Sequence, residues 1–219
     1  MGIEIVSVHV PKTAGTSFHR VLQGVYGKEA VFQDHGQYRD RRADQVPLEP
    51  WHRAIHGHVW AGRYRSALPT ARRVTWVRHP VNWLISLYGF LDTLEPNDNP
   101  AWKLLKNERP SLLEFAASEA VHIQTQSKFL HGVPVYDFFF VGIQEHFADD
   151  LYDLAALMNW KRVTPPRENV NPFVSRIRAT VWRDRALVEG ICDRLEDDMR
   201  LYEAAELRRD RRVYRAIAA

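Results

Sequence analysis

The sequence predicts an α/β fold with a central parallel sheet. Short apolar runs rich in β-branched residues alternate along the chain with longer amphipathic segments, and that alternation is typical of parallel sheets. A chain of 219 residues with 45% hydrophobic residues can bury one sizeable core and has little room for a second. We therefore expect a single domain that spans residues 1–219.

In the first half of the chain three strands are predicted, and each leads into a polar motif. Residues 3–10 form the first strand, and the loop PKTAG joins it to a helix over 16–26. A short run at 54–55 leads into His-Gly-His, and residues 74–77 lead into Arg-His-Pro. The helix that follows, over 80–91, begins at a proline, which suits a first helical turn.

The second half of the chain is predicted to hold one strand and several helices. The strand over 135–141 (VYDFFFV) is ended by Gly142, and prolines make 92–110 a surface excursion and 162–173 an irregular segment. The basic residues over 208–215 are most simply a solvated terminus. Helices are expected over 111–117, 121–130, 144–158 and 180–205.

The composition limits the partners and the compartment of the protein. A formal net charge of +3 is too small to indicate a nucleic-acid-binding protein. Cys192 is the only cysteine, so an intramolecular disulfide is excluded and a reducing cytoplasm is the default expectation. The first residues lack the pattern of a signal peptide, and no apolar run approaches the ~20 residues of a membrane span. We expect a soluble cytoplasmic protein.

The strongest local motif is HVPKTAGTSFHRVL over residues 9–22, where a predicted strand enters a tight loop and leaves as a helix. Such a loop points backbone N–H groups at an anion, and Thr16 and Ser17 add hydroxyl donors at the start of the helix. It is not a Walker A motif, which has a second, upstream glycine and places its lysine directly before the Ser or Thr. Alone, the loop is also compatible with an ordinary turn that Thr16 caps.

A second motif, VTWVRHPVNWLISLYGFL over residues 74–91, ends its strand on Arg78. Ser86 follows about two helical turns later. In P-loop NTPases the corresponding strand end usually carries a carboxylate that organises Mg²⁺, whereas a guanidinium binds a phosphate directly. Arg78 therefore argues against magnesium-dependent phosphoryl transfer, although an isolated arginine is more typical of a surface ion pair.

Together the two motifs resemble the sulfotransferases that use 3′-phosphoadenosine 5′-phosphosulfate (PAPS). The loop PKTAGTS is similar to their 5′-phosphosulfate loop, and RHPVNWLISLY is similar to their 3′-phosphate element. The sequence further resembles the uronyl and heparan sulfate 2-O-sulfotransferases, through IHGHVW at 55–60, QTQSKFL at 124–130 and FFFVGIQEHFADDL at 138–151. The resemblance implies a P-loop-type, three-layer α/β/α fold. It also implies PAPS as donor, 3′-phosphoadenosine 5′-phosphate (PAP) as product, and no metal ion.

The resemblance also implies roles for individual residues. Lys12 becomes the cation at the transferring sulfuryl group, and His58 becomes the general base, with His56 beside it in the same motif. An imidazole with a pKa near ~6.5 suits removal of a hydroxyl proton, although a histidine pair at a strand end is otherwise more often structural or, less often, a metal site. The residues implied for the nucleotide are Gly15, Thr16 and Ser17 at the 5′-phosphate, Thr13 in the same loop, Arg78 and Ser86 at the 3′-phosphate, and Asn169, Asn171 and Arg176 in the segment that closes over it.

The acceptor is not specified by these motifs. The Golgi members of the 2-O-sulfotransferase branch are longer, membrane-anchored and disulfide-bonded, and this chain shows none of these features. That difference favours a sugar-containing or other small hydroxyl metabolite over a polymeric glycosaminoglycan. Trp60 follows the His-Gly-His motif and is suited to an acceptor-side wall. The alternative functions are a P-loop nucleotide or small-molecule kinase and a catalytically silent nucleotide-binding module.

Overall fold

A computed structural model describes residues 2–166 and 172–217. Its central sheet has five strands among these residues, all parallel, in the order β2-β3-β1-β4-β5. Parallel strands are buried on both faces and therefore read as nearly continuous apolar runs. The strands are β1 (Ile5–Val8), β2 (Val31–Gln33), β3 (Ala54–Gly57), β4 (Arg72–Val77) and β5 (Phe140–Ile143).

Helices cover both faces of this sheet. On one face Ile5 and Val74 pack against the two helices α1 (Gly15–Tyr26) and α7 (Phe147–Met158). On the other face Val8 and Val77 pack against the C-terminal helix α10 (Glu196–Ile217). The predicted three-layer α/β/α fold with a parallel sheet is therefore confirmed. The remaining helices are α2 (Pro80–Asp92), α3 (Pro100–Glu108), α4 (Leu112–Ala117), α5 (Glu119–His122), α6 (Gln126–Phe129), α8 (Pro172–Val181) and α9 (Arg185–Arg194).

The strands differ from their predicted positions in two places. β2, over Val31–Gln33, was not predicted, because three residues are too few for a periodic pattern. The last strand begins only at Phe140, since Val135–Asp137 form a 3₁₀ turn. Gly142 does not end this strand but lies within it, and a Cβ there would lie 2.4 Å from the ring of Trp76.

Two predictions for the middle of the chain, one irregular segment and one helix, are wrong in detail. The surface excursion over 92–110 contains α3, because the Asn99 side chain accepts the Ala101 N–H at 2.9 Å and Pro100 occupies the first turn. The single helix expected over 121–130 is two short helices, α5 and α6, with Thr125 extended between them at φ −63° and ψ 158°.

The C-terminal region differs most from its prediction. The expected helix over 180–205 is interrupted, because the Asp184 side chain accepts the Leu187 N–H at 3.0 Å and starts a new helix, α9. The basic segment over 208–215 is not a solvated tail, since it lies in α10 and its arginines bond to residues beside the sheet. Arg208 donates to the Phe139 carbonyl at 3.0 Å, and Arg209 pairs with the buried carboxylate of Asp150 at 2.9 Å.

The order of the strands decides which loops meet. All five strands point the same way, so the loops that follow them lie at one edge of the sheet. β1 lies between β3 and β4, and the loop after β1 is therefore flanked by the segments that follow β3 and β4. None of the helices in the described ranges has the length and apolar character needed to cross a membrane.

Candidate active site

The loop after β1 makes a tight reversal before α1. Lys12 and Ala14 both have left-handed backbone conformations, with φ of 66° and 68°. The Thr13 hydroxyl is buried and donates to the Val10 carbonyl at 2.8 Å, which fixes the turn from inside. Backbone segments that visit the left-handed region in this way make concavities lined by N–H groups. The local geometry is that of an anion cradle.

The N-terminus of α1 completes this cradle. The first α-helical hydrogen bond runs from the Phe18 N–H to the Ala14 carbonyl, at 2.9 Å. The N–H groups of Gly15, Thr16 and Ser17 precede that bond, and such groups have no acceptor within their own helix. They carry the positive end of the helix dipole and suit a phosphate or sulfate.

The segment after β4 holds the loop from the other side. Arg78 is only 7% exposed, and its guanidinium donates to the Lys12 carbonyl at 3.1 Å across 66 positions of sequence. In the first turn of α2, the Trp83 indole donates to the Pro11 carbonyl at 3.0 Å. The two sequence motifs are thus joined by direct contacts, and Arg78 is not the surface ion pair that it would be in isolation.

Lys12 is a cation in a confined position. Its Nζ lies 3.9 Å from the centroid of the Phe90 ring on α2. Burial lowers the pKa of Lys12 to about 8, and the nearby positive charge of Arg78 adds to the effect. Two cations held this close to each other gain from an anion between them. The geometry therefore favours a ligand with more than one negative group.

Ser86 lies on the face of α2 that Asn82 and Phe90 share, since these positions are spaced by four residues. Its side chain is half-buried, and its neighbours on this face contact the rest of the site. Phe90 packs on Lys12, and Asn82 accepts a hydrogen bond from the Trp182 indole at 2.9 Å. Ser86 is therefore on the side of α2 that faces the loop.

A carboxylate that the sequence interpretation missed lies beside Arg78. Glu145 follows β5, and its Oε1 lies 4.0 Å from the Arg78 Nε. Glu145 also accepts the His79 N–H at 3.2 Å and the Asn82 side-chain amide at 2.8 Å. A polar segment, QEH, directly after a buried strand is the signal that could have found it.

Arg176 lies on α8 and is exposed. This helix packs on α2, where a Cβ on Gly89 would come within 2.5 Å of the Val174 side chain. Arg176 is thus carried by a helix that borders the segment containing Ser86. Asn169 and Asn171, which were expected in the same closing segment, lie outside the described residues.

His58 follows β3 on the opposite side of the loop from Arg78. Its Nδ1 lies 2.9 Å from the His9 carbonyl oxygen, which can only accept a hydrogen bond. The neutral ring therefore carries its proton on Nδ1 and leaves the lone pair of Nε2 available. Burial lowers the pKa of His58 below its ordinary value, partly opposed by that hydrogen bond. A partly exposed, neutral imidazole of this kind can accept a proton.

His56 has a different environment, although it is two residues from His58. It is 2% exposed, and its Nδ1 lies 2.9 Å from the Ser7 hydroxyl inside the sheet. Burial lowers its pKa well below the ordinary value. An imidazole enclosed in this way has little access to a substrate, so His58 is the better placed of the two.

His9 was given no role in the sequence interpretation, yet it connects the loop to both histidines. Its ring stacks on His58 with centroids 4.1 Å apart and on His56 at 4.9 Å. A Cβ on Gly15 would lie 1.7 Å from the His9 Nε2, so only glycine fits at the start of α1. Burial and the neighbouring histidines lower the pKa of His9 to about 3. His9 is therefore a neutral spacer between the loop and β3.

A cavity of about 270 Å³ opens beside His58. Trp60 is part of its wall and is 63% exposed. Arg63 is paired with the buried carboxylate of Asp34 at 3.0 Å. The two other cationic side chains of the wall, Arg39 and Lys128, are exposed. Besides His58 and Trp60, the lining residues are Asp34, Gly36, Arg39, Val59, Arg63, Ile123, Lys128 and Phe129.

Comparisons with known proteins found a matching family model and solved structures of low sequence identity. A model of the Sulfotransferase family matches residues 3–203. No curated protein matches the sequence. Among solved structures, a sulfotransferase from Alicyclobacillus acidocaldarius is similar at 17% identity and a TM-score of 0.47, over 87% of this chain and 96% of that one. Mouse sulfotransferase SULT7A1 complexed with PAP is similar at 13% identity and a TM-score of 0.40, over 81% of this chain and 63% of that one.

Proposed function

The chain belongs to the sulfotransferase family, and on that premise we propose that it transfers a sulfuryl group from PAPS to a hydroxyl group of a small acceptor. One observation carries the proposal. The backbone of the loop after β1 is bonded on one side by Arg78, to the Lys12 carbonyl, and on the other by His58, to the His9 carbonyl. A cation for the nucleotide and a base for the acceptor therefore flank the same anion cradle.

The donor is proposed to bind along the loop and α2. The N–H groups of Gly15, Thr16 and Ser17 suit its 5′-phosphate, because they lie at the positive end of α1. Arg78 and Ser86 are proposed to hold the 3′-phosphate, and Arg176 to close over the nucleotide. Lys12 is proposed to sit at the sulfuryl group. The buried Thr13 hydroxyl is bonded to Val10, and its contribution is to hold the turn.

The reaction is an in-line transfer in which His58 removes the hydroxyl proton at Nε2. As the acceptor oxygen bonds to sulfur, the bond from sulfur to the oxygen on the 5′-phosphate breaks, and its electron pair leaves with PAP. Lys12 and the N–H groups of α1 stabilise the charge that develops there. The products are a sulfate ester, PAP and a protonated His58, which returns its proton to solvent.

The acceptor is proposed to occupy the cavity beside His58. Trp60 and Phe129 offer aromatic faces that suit a sugar or another ring. Arg39 and Lys128 lie on exposed positions of the same wall, and long cationic side chains there favour an acceptor that carries negative charge. We therefore propose a sugar-containing or other small hydroxyl compound with an acidic group, in keeping with the 2-O-sulfotransferase-like motifs.

The kinase alternative would use a carboxylate at this edge to organise Mg²⁺. Glu145 is such a carboxylate, but it already accepts the His79 N–H and the Asn82 amide and lies beside Arg78. The family membership does not favour a kinase. A silent nucleotide-binding module would retain Lys12 and Arg78 and would not depend on His58.

The proposal predicts that PAP binds and stabilises the protein in the presence of EDTA. Ligand at ~100 times its dissociation constant should add ~2.7 kcal/mol to the free energy of unfolding. Thermal unfolding with PAP and EDTA, compared with ATP and Mg²⁺, measures this. Stabilisation by ATP and Mg²⁺ but not by PAP would overturn the donor assignment.

A further inference from the structure

One side chain satisfies both main-chain polar groups of Arg78. The Gln126 Oε1 accepts the Arg78 N–H at 2.8 Å, and the Gln126 Nε2 donates to the Arg78 carbonyl at 2.7 Å. Gln126 is 0% exposed and lies 48 positions away in sequence. Arg78 directly follows β4, whose pairing with β1 ends at Thr75 and with β5 at Val77. The glutamine amide therefore takes the place of a neighbouring strand at this residue.

A buried carboxylate holds Gln126 in turn. Asp198, on α10, is 1% exposed and accepts the Gln126 N–H at 3.0 Å and the Ser127 N–H at 2.8 Å. Those N–H groups start α6 and have no acceptor within that helix. Burial raises the pKa of Asp198, and the hydrogen bonds from Gln126 and Ser127 oppose that shift. The contacts run from α10 through α6 to Arg78.

Such a network is costly to bury unless every member is satisfied. An apolar residue at position 126 would remove both of these hydrogen bonds from the Arg78 main chain, whereas the amide fixes both of its polar groups. The guanidinium of Arg78 then reaches the Lys12 carbonyl at 3.1 Å from a fixed Cα. The network thus ends on Arg78, for which a ligand, the 3′-phosphate, is proposed.

We propose that Gln126 and Asp198 are positioning residues that hold Arg78 in register for the 3′-phosphate of the nucleotide. The inference rests on the proposed donor site. Neither residue touches the nucleotide in this scheme. Their effect should be larger on the phosphate that Arg78 binds than on the 5′-phosphate, because they fix the main chain of Arg78 and reach the loop after β1 only through its guanidinium.

The test compares PAP with adenosine 5′-monophosphate, which lacks only the 3′-phosphate. In Gln126→Met, calorimetry should show the preference for PAP reduced about tenfold or more, since a misplaced guanidinium forfeits a charge-assisted hydrogen bond. The affinity for the monophosphate should fall much less, since the 5′-phosphate site depends on Arg78 only through the hydrogen bond to the Lys12 carbonyl. Gln124→Met is the matched control, because the Gln124 amide bonds Asn99 and the Ala120 carbonyl, away from Arg78.

A double-mutant cycle separates positioning from general support. In an Arg78→Ala background, Gln126→Met should change the preference no further, since no guanidinium remains to be placed. Equal losses of affinity for both nucleotides, or a preference retained in Gln126→Met, would overturn the inference. If the wild type itself shows no preference, the donor assignment fails instead. Asp198→Asn and Gln126→Glu keep size and provide the same comparison if Gln126→Met does not fold.

Discussion

The two sides of the active-site loop are built in different ways. On the proposed donor side, Arg78 and Gln126 are buried, and their polar groups are bonded to partners from distant parts of the chain. On the proposed acceptor side, the cavity wall includes Trp60, Ile123 and Lys128, which are all exposed. The first side is bonded to distant partners throughout, whereas the second combines the buried pair of Arg63 and Asp34 with side chains at the surface.

This difference indicates which part of the function is fixed by the fold. Buried groups that are bonded to several distant partners have few low-energy arrangements, so they suit a ligand that does not vary. Exposed long side chains can be exchanged at little cost in stability, because surface substitutions rarely change it by more than ~0.5 kcal/mol. The donor side is therefore expected to define the reaction, and the acceptor side to define the substrate. His58 lies between the two sides, because it is bonded to the loop through the His9 carbonyl and also lines the acceptor cavity.

The largest expected effect is that of His58→Ala. A positioned base contributes ~10²–10⁴ to the rate of such a step, so kcat should fall by that factor. PAP affinity should stay nearly constant, because the base contacts the acceptor and not the nucleotide. The measurements are PAP release from PAPS with a panel of hydroxyl acceptors, and calorimetry with PAP.

His52→Ala is the matched control for this variant, since His52 precedes β3 at the opposite end of the strand that leads to His58. Near-normal turnover in His58→Ala would move the role to His56 or elsewhere. Loss of PAP binding, or of the fold, would instead give His58 a structural role and favour the silent binding module.

The pH dependence of kcat/KM should report the ionisation of Lys12 on the donor side and of His58 on the acceptor side. His58 must be neutral, and burial lowers its pKa, so activity is lost only as pH falls through a value below 6.5. Lys12 must be charged, and its pKa is lowered to about 8, so activity is lost as pH rises through about 8. Beyond each limit the rate should fall about tenfold per pH unit.

Lys12→Arg sharpens this prediction, because a guanidinium stays charged at all relevant pH values. The alkaline limb of the profile should move upward in Lys12→Arg, whatever happens to the maximum rate, while the acid limb stays in place. An acid limb above pH 6.5, or an alkaline limb that Lys12→Arg leaves unmoved, would contradict the assignments of His58 and Lys12.

The sequence predicted the parts of the site that are local. The loop over 9–17 and the segment after β4 each carry their signal within a few residues, and the alternation of strands and helices placed both at one edge of the sheet. Lys12 and Arg78 were singled out on those two motifs, whereas His58 was assigned through the resemblance to the 2-O-sulfotransferases. The strand order, which puts the first strand between two later ones, is set by packing and is not written in any local pattern.

The residues that were missed act through long-range contacts. Asp198 meets Gln126 across 72 positions, and Glu145 meets Asn82 across 63. An isolated acid or amide at such positions looks like any polar surface residue, and its burial appears only in the folded chain. The same limit explains why residues 208–215 were wrongly predicted to be a solvated terminus. A run of arginines is typical of an exposed segment, and the buried carboxylate of Asp150 that pairs with it is known only from the structure.

The smallest expected effect tests the acceptor side. Lys128→Ala should raise the KM of an acidic acceptor about two- to fivefold, which is the range of an exposed charge pair, and should leave kcat and PAP affinity unchanged. A phenyl glucuronide and the matching phenyl glucoside differ only by carboxylate against hydroxymethyl, so the KM of the glucoside should not change.

Lys128→Arg should behave as wild type, and Lys103→Ala, which removes a cation paired with Asp98 on the surface, controls for net charge. The effect should fade in high salt, because exposed charges are screened. A KM raised equally for both glycosides would mean that Lys128 acts by packing alone, and the acceptor side would then select shape and not charge.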